Sequence, residues 1–195
     1  MDCDIAFVSQ MPIPEVKGEP VVVHGQAGGQ VGAAVSIASA RSTADWWRVL
    51  RQPETAYQWL PPEIGIKHGA RLDKDNVYQA VDVSILFGAF HFARQTVADI
   101  TWLDTTTRLE SCWVAGNPAS WPETKEYDTG APWQTQATGG WLVTPTPSGT
   151  VATYRVWASQ ETVFPALQSW AVGRTLPAMI TAYSARVDAL AGSGG

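Results

Sequence analysis

The residue with the clearest chemical potential is Arg94, because it lies in a run of alternating ring-bearing residues. In the sequence 90–103, FHFARQTVADITWL, Arg94 has the same parity as Phe90, Phe92 and Trp102. If that face is directed inward, the guanidinium must pair with an acid or meet a ligand oxygen, since an unpaired buried charge is costly. Two alternatives stay open: a salt bridge to an acid on a neighbouring strand, or an outward face on which Arg94 extends into water.

Tyrosines supply the other candidate donors. Tyr78, Tyr154 and Tyr183 lie in regularly patterned segments and could hold a proton near a ligand oxygen. Arg155 and Glu110 are expected on solvent-facing sides of their strands. The sequence contains no serine elbow and no defensible Cys–His pairing, so a nucleophilic enzyme is not predicted.

Metal and phosphate chemistry have little support. His24, His68 and His91 are scattered, without the spacing of metal ligands. Four glycines within 25–32 lack the spacing of a phosphate loop, and an alternating run follows them where a helix should begin. We therefore expect sheet turns there, and we expect no metal and no cofactor.

The composition indicates a compact acidic chain rich in rings. Its 195 residues suit one domain, with 45% apolar and 16% charged residues, a net charge of −5 and ten tryptophans. Each indole N–H needs a partner, so this many tryptophans favours pockets or interfaces. Lys and Arg form no cluster, which argues against a nucleic-acid partner. The sequence does not indicate an oligomeric state.

The cysteines and the hydropathy bear on the compartment. Cys3 and Cys112 are far apart, so one bridge is possible, but free thiols are the favoured interpretation. No apolar run approaches the ~18 residues of a membrane span. The start of the chain, MDCDIAFVSQM, does not resemble a signal peptide. These features predict a soluble, cytoplasmic protein; an exported mature form is left open.

In the first third of the chain, the spacing of apolar residues predicts the secondary structure. Residues 1–20 are interpreted as an arm, and 31–39 alternate as a strand. Ser42 and Asp45 have the spacing of a helix cap, which predicts a helix to about Gln52. Pro53 can begin a second short helix.

A period of two dominates after that, which predicts consecutive antiparallel strands. The predicted strands are at 63–72, 77–87, 90–103, 108–116, 134–145 and 150–160. The intervening segment 117–133 is long and contains Trp121, Tyr127 and Trp133. It is either a lid over a binding site or a loop whose rings attach it to the body.

The last element is a helix over about 164–190, which Gly173 and Pro177 should divide or bend. Beyond the proline an apolar stripe follows helical spacing and predicts packing on a sheet. The stripe consists of Leu176, Met179, Ile180, Tyr183, Val187 and Leu190.

Three segments in this order resemble the START-like or Bet v 1-like superfamily, the polyketide cyclase/dehydrase and lipid-transport group. They are VSIASARSTADWWRVLRQPETAYQWLP, YQAVDVSILFGAF and PALQSWAVGRTLPAMITAYSARV. The resemblance implies an α+β helix-grip fold: a curved antiparallel sheet of about six to seven strands, two short helices after the first strand and a long C-terminal helix over the sheet. The domain would cover 21–191, after an arm at 1–20 and before a tail at 192–195.

The resemblance also implies an internal cavity for a hydrophobic small molecule such as a lipid, quinone, sterol or polyketide-like compound. A carrier or sensor is the first hypothesis; a polyketide-type cyclase or aromatase using the same pocket is the second, and a co-chaperone-type interaction module the third. The superfamily has no shared catalytic set, so no catalytic residue is transferred. The residues expected to line the ligand site are Trp47, Phe87, Phe90, Phe92, Arg94, Trp102, Trp113, Trp141, Tyr154, Leu176, Met179, Ile180 and Tyr183.

Overall fold

The computed structural model describes residues 3–16, 18–85, 90–105, 108–159 and 165–192, with side chains described outside 83–85, 90–92 and 165–172. The described residues form one open, curved antiparallel sheet of eight strands, in the order β1-β2-β8-β7-β6-β5-β4-β3. The strands are β1 Val21–Ala27, β2 Gln30–Ser39, β3 Ile66–Arg71, β4 Asn76–Ile85, β5 Phe90–Thr105, β6 Arg108–Ala115, β7 Ala137–Thr146 and β8 Gly149–Ser159. The helices are α1 Ile5–Val8, α2 Thr43–Leu50 and α3 Pro165–Gly192.

The strand count exceeds the predicted six to seven because β1 was not recognised. The hairpin of β1 and β2 turns at Gly28 and Gly29, whose φ angles are 56° and 74°, so the predicted turn at these glycines is confirmed. The same strand pair contains Gly32, where a side chain would collide with Met11 and Trp157. Position 32 therefore has no room for a side chain between the N-terminal segment and β8.

The two short helical segments follow β2 as predicted. Ser42 and Asp45 form a reciprocal capping box at the start of α2. The next segment, Pro53–Gln58, is a 3₁₀ helix. An ion pair of 2.7 Å between Arg41 and Asp188 connects the start of α2 to α3.

The long helix α3 packs on one side of the sheet, here called the inner face. Its predicted stripe is confirmed: Leu176, Ile180, Tyr183 and Val187 are buried in the main core. We expected Gly173 and Pro177 to divide or bend the helix; it runs continuously through both residues, so they do not divide it. No helix among the described residues is long and apolar enough to cross a membrane.

The register between β4 and β5 confirms the prediction of which residues share a face of the sheet. Val77 pairs with Ala98, and Val81 pairs with Arg94. Directly paired residues of antiparallel strands share a face. By backbone register Phe92 pairs with Val83 and Phe90 with Ile85, but their side chains are not among those described.

Phe87 lies outside the described residues altogether, as do part of the expected turn at 104–107 and most of the expected tail.

The opposite side of the sheet, the outer face, is covered in part by the N-terminal segment. Val8 and Met11 are buried there, and Cys3 forms a disulfide with Cys112 on β6. The Cα atoms of the two cysteines are 5.8 Å apart. The prediction of free thiols is therefore wrong: 109 residues of sequence separate two positions that the fold brings into contact.

Two charged side chains that were expected in solvent are buried on the outer face. Arg155 and Glu110 are each only 4% exposed, so the surface predictions for both are wrong. Arg155 donates to Ser9 Oγ at 3.3 Å, and Arg108 lies 3.2 Å from the Glu110 carboxylate. Burial lowers the pKa of Arg155, and the charge of Glu110 opposes that shift.

The segment 117–133 also lies on the outer face. The rings of Tyr127 and Trp133 pack against Tyr78 at 5.7 and 6.0 Å between centroids. Tyr78 is next to Val77 on β4 and therefore faces away from it, while Val77 packs with the inner-face residues Ile100 and Trp102. The rings thus attach the segment to the body of the protein, and the lid alternative for the inner face is not supported.

Candidate functional site

Four side chains form a row across the inner face. Tyr154 on β8 pairs with Trp141 on β7, Trp141 with Ser111 on β6, and Ser111 with Trp102 on β5. We call these four residues the ring row. Neighbouring strands are about 4.8 Å apart, so the row spans about 14 Å. The alternation of each strand places these residues on one face, and the register aligns them.

The helices cover the ring row from above. Tyr183 of α3 lies 4.7 Å from Trp141 and 4.8 Å from Trp59, measured between ring centroids. Trp47 of α2 meets Trp102 edge-on at 5.1 Å. The apolar stripe of α3 and the ring-rich start of α2 thus converge on the same part of the sheet.

Burial differs along this cluster. Trp46 is completely buried and lies 6.1 Å from Trp141. Trp47, Trp102 and Tyr154 pack against the same core but are only partly buried. These three rings are thus less completely covered by the helices than Trp46 is. The aromatic cluster is therefore most completely covered at Trp46 and less completely at Trp47 and Trp102.

Two phenols meet at Trp141. Tyr154 lies 4.9 Å from this ring on one side, and Tyr183 contacts it from the helix. Burial raises the pKa of Tyr154 to about 12, with a smaller opposing effect from the Trp113 indole. Burial and the proximity of Tyr154 raise the pKa of Tyr183 as well. Both hydroxyls stay protonated near neutral pH and can donate hydrogen bonds.

A glycine allows Trp113 to reach Tyr154. Trp113 on β6 pairs with Gly139 on β7, and Gly139 pairs with Val156 on β8. A Cβ atom at position 139 would lie 2.9 Å from the Trp113 ring. The indole can therefore lie across β7 toward Tyr154 only because residue 139 has no side chain.

Arg51 is a site residue that the sequence analysis missed. Its guanidinium lies 4.7 Å from the centroid of Trp47 and 5.1 Å from that of Trp102. A cation over two indole faces is stabilised by their quadrupoles. The available signal was spacing: Arg51 follows Trp47 by four residues at the end of α2, and such residues are neighbours on a helix.

Arg94 stands apart from the ring row. The register places it beside Val81, which pairs with Ile66, a residue packed against the α3 core. Arg94 is partly buried and donates to the carbonyl of Ala93 at 2.8 Å. Its parity on the inner face agrees with the sequence, whereas its role toward a ligand stays a prediction.

The structure brings most of the predicted site residues together. All of the following belong to the core around the ring row or pack against it: Trp47, Trp102, Trp141, Tyr154, Leu176, Met179, Ile180 and Tyr183. Trp113 borders the same region through Trp102. Tyr78 was a candidate proton donor, but its hydroxyl donates on the outer face to Gln95 and to the carbonyl of Tyr127, so that assignment is wrong.

A curved antiparallel sheet that holds a C-terminal helix is a helix-grip architecture. No family model matches the sequence, and no curated protein is similar to it. Comparison with solved structures defines the fold more closely as START-like, as the sequence predicted.

A STAR-related lipid transfer protein from Xanthomonas axonopodis aligns with a TM-score of 0.63 and 17% identity, over 88% of this chain and 99% of that one. Human StAR-related lipid transfer protein 5 gives 0.63 and 8%, over 88% of each chain. The di-domain ARO/CYC StfQ from the steffimycin biosynthetic pathway gives 0.51 and 14%, over 84% of this chain and 52% of that one.

Proposed function

We propose that this protein binds a hydrophobic small molecule between α3 and the inner face, as a carrier or sensor. The observation that carries the proposal is the ring row, with partly accessible aromatic side chains between a helix and a sheet. Ligand sites of this kind are mostly apolar and contain a few polar groups that orient the ligand. Trp141 supplies apolar surface, and Tyr154, Tyr183 and Arg51 supply the polar groups.

The fold supports the same proposal. Two of the similar structures bear the name lipid transfer protein, and a third is named an ARO/CYC from a biosynthetic pathway. A lipid, quinone, sterol or polyketide-like compound is the ligand class that the fold and the ring row together favour.

A matched pair of α3 variants tests the site. Met179 packs against the core beside the ring row, whereas Thr181 is exposed on the opposite side of the helix. Met179→Trp should fill the space next to the rings and weaken binding of the uncharged dye Nile red at least about ten-fold. Thr181→Trp adds the same ring to the outside and should leave binding unchanged. Equal binding by both variants and wild type, with unaltered circular dichroism, would contradict a site at this position.

The natural ligand can be sought directly. Native mass spectrometry of the protein from its expression host, followed by solvent extraction, should reveal a co-purified apolar compound in wild type and not in Met179→Trp.

The second candidate function is a polyketide-type cyclase or aromatase that uses the same site between α3 and the inner face. Its support is the similarity to the ARO/CYC structure, together with two neutral phenols that could donate to a ligand carbonyl. Incubation with a poly-β-ketone thioester should then yield a cyclised, dehydrated product, and the Tyr154→Phe and Tyr183→Phe variants should lose it. Binding without product formation would favour the carrier or sensor.

We infer the compartment from the disulfide rather than from the hydropathy. A bond between Cys3 and Cys112 persists where thiols are not continuously reduced. This favours an oxidising environment over the cytoplasmic location expected from the sequence. Thiol alkylation of the protein in its native cells should find both cysteines protected; full labelling would favour the cytoplasm.

A further inference from the structure

The two edges of the sheet differ in how they are covered. The sheet ends in β3 on one side and in β1 on the other. At β3 the 3₁₀ helix Pro53–Gln58 wraps around the edge. On the inner face a Cβ atom at Gly69 would lie 2.5 Å from the Glu54 carbonyl oxygen, and on the outer face Tyr57 packs on His68 with 5.6 Å between ring centroids. The helix therefore keeps a further strand away from β3.

The strand β3 also has features of its own that oppose pairing. Its register with β4 shifts at a bulge between Ile66 and His68. It carries the charged side chains of Lys67 and Arg71, both of them exposed. Bulges and charged side chains are devices by which natural sheets prevent a second chain from adding to an edge.

The strand β1 lacks the bulge and the charges that protect β3. Its sequence, VVVHGQA, contains no Asp, Glu, Lys, Arg or Pro, and its register with β2 is unbroken over all seven residues. No described residue hydrogen-bonds the backbone of β1 on the side away from β2. An uncharged edge with unpaired N–H and C=O groups is a template for another strand.

Apolar side chains are exposed at the same edge. Val21, the first residue of β1, is 45% exposed. Ile13, which is 54% exposed, lies in the connection from Met11, a residue packed against position 25 of β1, to Val21. Of the three large hydrophobic residues exposed in the described part of the chain, two thus belong to β1 or to the segment that leads into it. Covering them would stabilise a complex formed at this edge.

We propose that a second copy of this chain pairs antiparallel with β1, so that two sheets join across a two-fold axis. A two-fold contact opposes a surface to itself, so any charge in it meets a like charge. The chain has a net charge of −5, but β1 has no acidic or basic residue, so two copies meet there without repulsion between their strands. A charged partner of another kind would find no complementary charge in β1. This interface is separate from the site on the inner face and does not depend on it.

Full overlap of the two strands defines their register. His24 is the central residue of the seven in β1, so a copy that pairs with all seven places His24 opposite its own counterpart. The Cα atoms of directly opposed residues are about 5 Å apart. Gln26 would instead oppose Val22 of the second copy, which leaves the two Gln26 residues about 13 Å apart.

The mass of the intact protein in solution tests the interface. Light scattering during gel filtration, over about 5 to 200 µM, should show a reversible shift toward the mass of two chains as the concentration rises. Val21→Lys adds a charge that pairing would desolvate, and it should raise the dissociation constant of the dimer at least about ten-fold. Leu103→Lys makes the same change at an exposed residue of β5, five strands away, and should leave the dissociation constant unchanged.

Cysteine variants test the pairing of the strands. His24→Cys should form a disulfide between two chains on mild oxidation, because opposed Cα atoms lie within the range that a disulfide spans. Gln26→Cys, at an exposed residue of the same strand, is the matched control and should stay uncrosslinked. Non-reducing gel electrophoresis measures both.

Three results would overturn the proposal. The first is a wild-type protein that stays monomeric over the whole concentration range. The second is a dimer that Val21→Lys and Leu103→Lys weaken equally, since the contact would then lie elsewhere. The third is equal cross-linking at positions 24 and 26, since the two β1 strands would then not be opposed in register.

Discussion

The two faces of the sheet treat the same type of side chain differently. On the outer face the Tyr78 hydroxyl is fully engaged, donating at 3.0 Å to Gln95 and at 2.8 Å to the carbonyl of Tyr127. On the inner face Tyr183 is held by its ring, which packs on Trp141 at 4.7 Å and on Trp59 at 4.8 Å. The same type of side chain is thus fixed by hydrogen bonds on one face and by ring contacts on the other.

The covering segments differ in the same way. The outer face is covered by the N-terminal segment and by 117–133, which are attached by a disulfide and by hydrogen bonds to Gln95. The inner face is covered by α3, mainly through apolar and aromatic contacts. We therefore expect that substitutions on the outer face will change stability without changing the proposed binding on the inner face.

The largest effect on stability should come from the disulfide on the outer face. Cys3→Ser opens a loop closed across 109 residues and should lower the free energy of unfolding by about 4 kcal/mol. Urea denaturation measures this change, and Nile red binding without urea should be unaffected. Reduced wild type should resemble the variant, whereas the variant itself should not respond to dithiothreitol. A loss of binding along with stability would show that the faces are not independent.

Gln95 should have the next largest effect, because its side chain organises the segment 117–133. It donates at 2.8 Å to Asp128 and at 2.7 Å to the carbonyl of Ala131, and it accepts from Tyr78. Gln95→Leu should lower the free energy of unfolding by about 3 kcal/mol and speed proteolysis within the segment.

The matched control for Gln95 is Gln79→Leu, which removes one hydrogen bond, to the carbonyl of Pro53. It should cost about 1 kcal/mol. Similar losses in the two variants would mean that the segment is held by its rings rather than by Gln95.

A direct comparison of the faces uses one substitution at two tyrosines. Tyr78→Phe removes the hydroxyl that bonds Gln95 and the Tyr127 carbonyl and should cost about 2 kcal/mol in thermal or urea unfolding. Tyr183→Phe removes a hydroxyl that no described group binds and should change stability by less than about 0.5 kcal/mol. Equal costs would show that Tyr183 has a structural partner and would weaken the case for a ligand.

The smallest predicted effect is a loss of folding stability at alkaline pH. The pKa of Tyr154 is about 12 in the folded chain and 10.0 when exposed, so an unfolded chain releases its proton first. Its contribution to stability is complete below pH 10 and is lost as the pH rises toward 12, by about 1 kcal/mol between pH 10 and 11. Urea unfolding at pH 9, 10 and 11 should show a shallower decline for Tyr154→Phe than for Tyr57→Phe. Parallel declines would contradict the burial of this phenol.

The sequence predicted the inner face well, since alternation determines which residues share a side of a strand. Tyr154, Trp141 and Trp102 could be placed on ring-bearing faces, and the spacing of Ile180 and Tyr183 directed α3 to the same place. Local periodicity is enough for such predictions. It could not show that β8, β7, β6 and β5 would align these residues in one row, because register depends on pairing across the sheet.

The outer face was poorly predicted because its coverage is not local. Alternation correctly put Arg155 and Glu110 opposite the core residues of their strands, but it could not show that another segment buries that side. The disulfide partner of Cys3 lies 109 residues away.

Pro177 within α3 has a mechanical consequence. A proline has no N–H to give to the carbonyl four residues earlier, which here belongs to Gly173, an exposed residue. The helix thus lacks one backbone hydrogen bond at the point where its apolar stripe on the inner face begins. The helix therefore resists bending less at this point than it does along the turn that carries Ile180 and Tyr183.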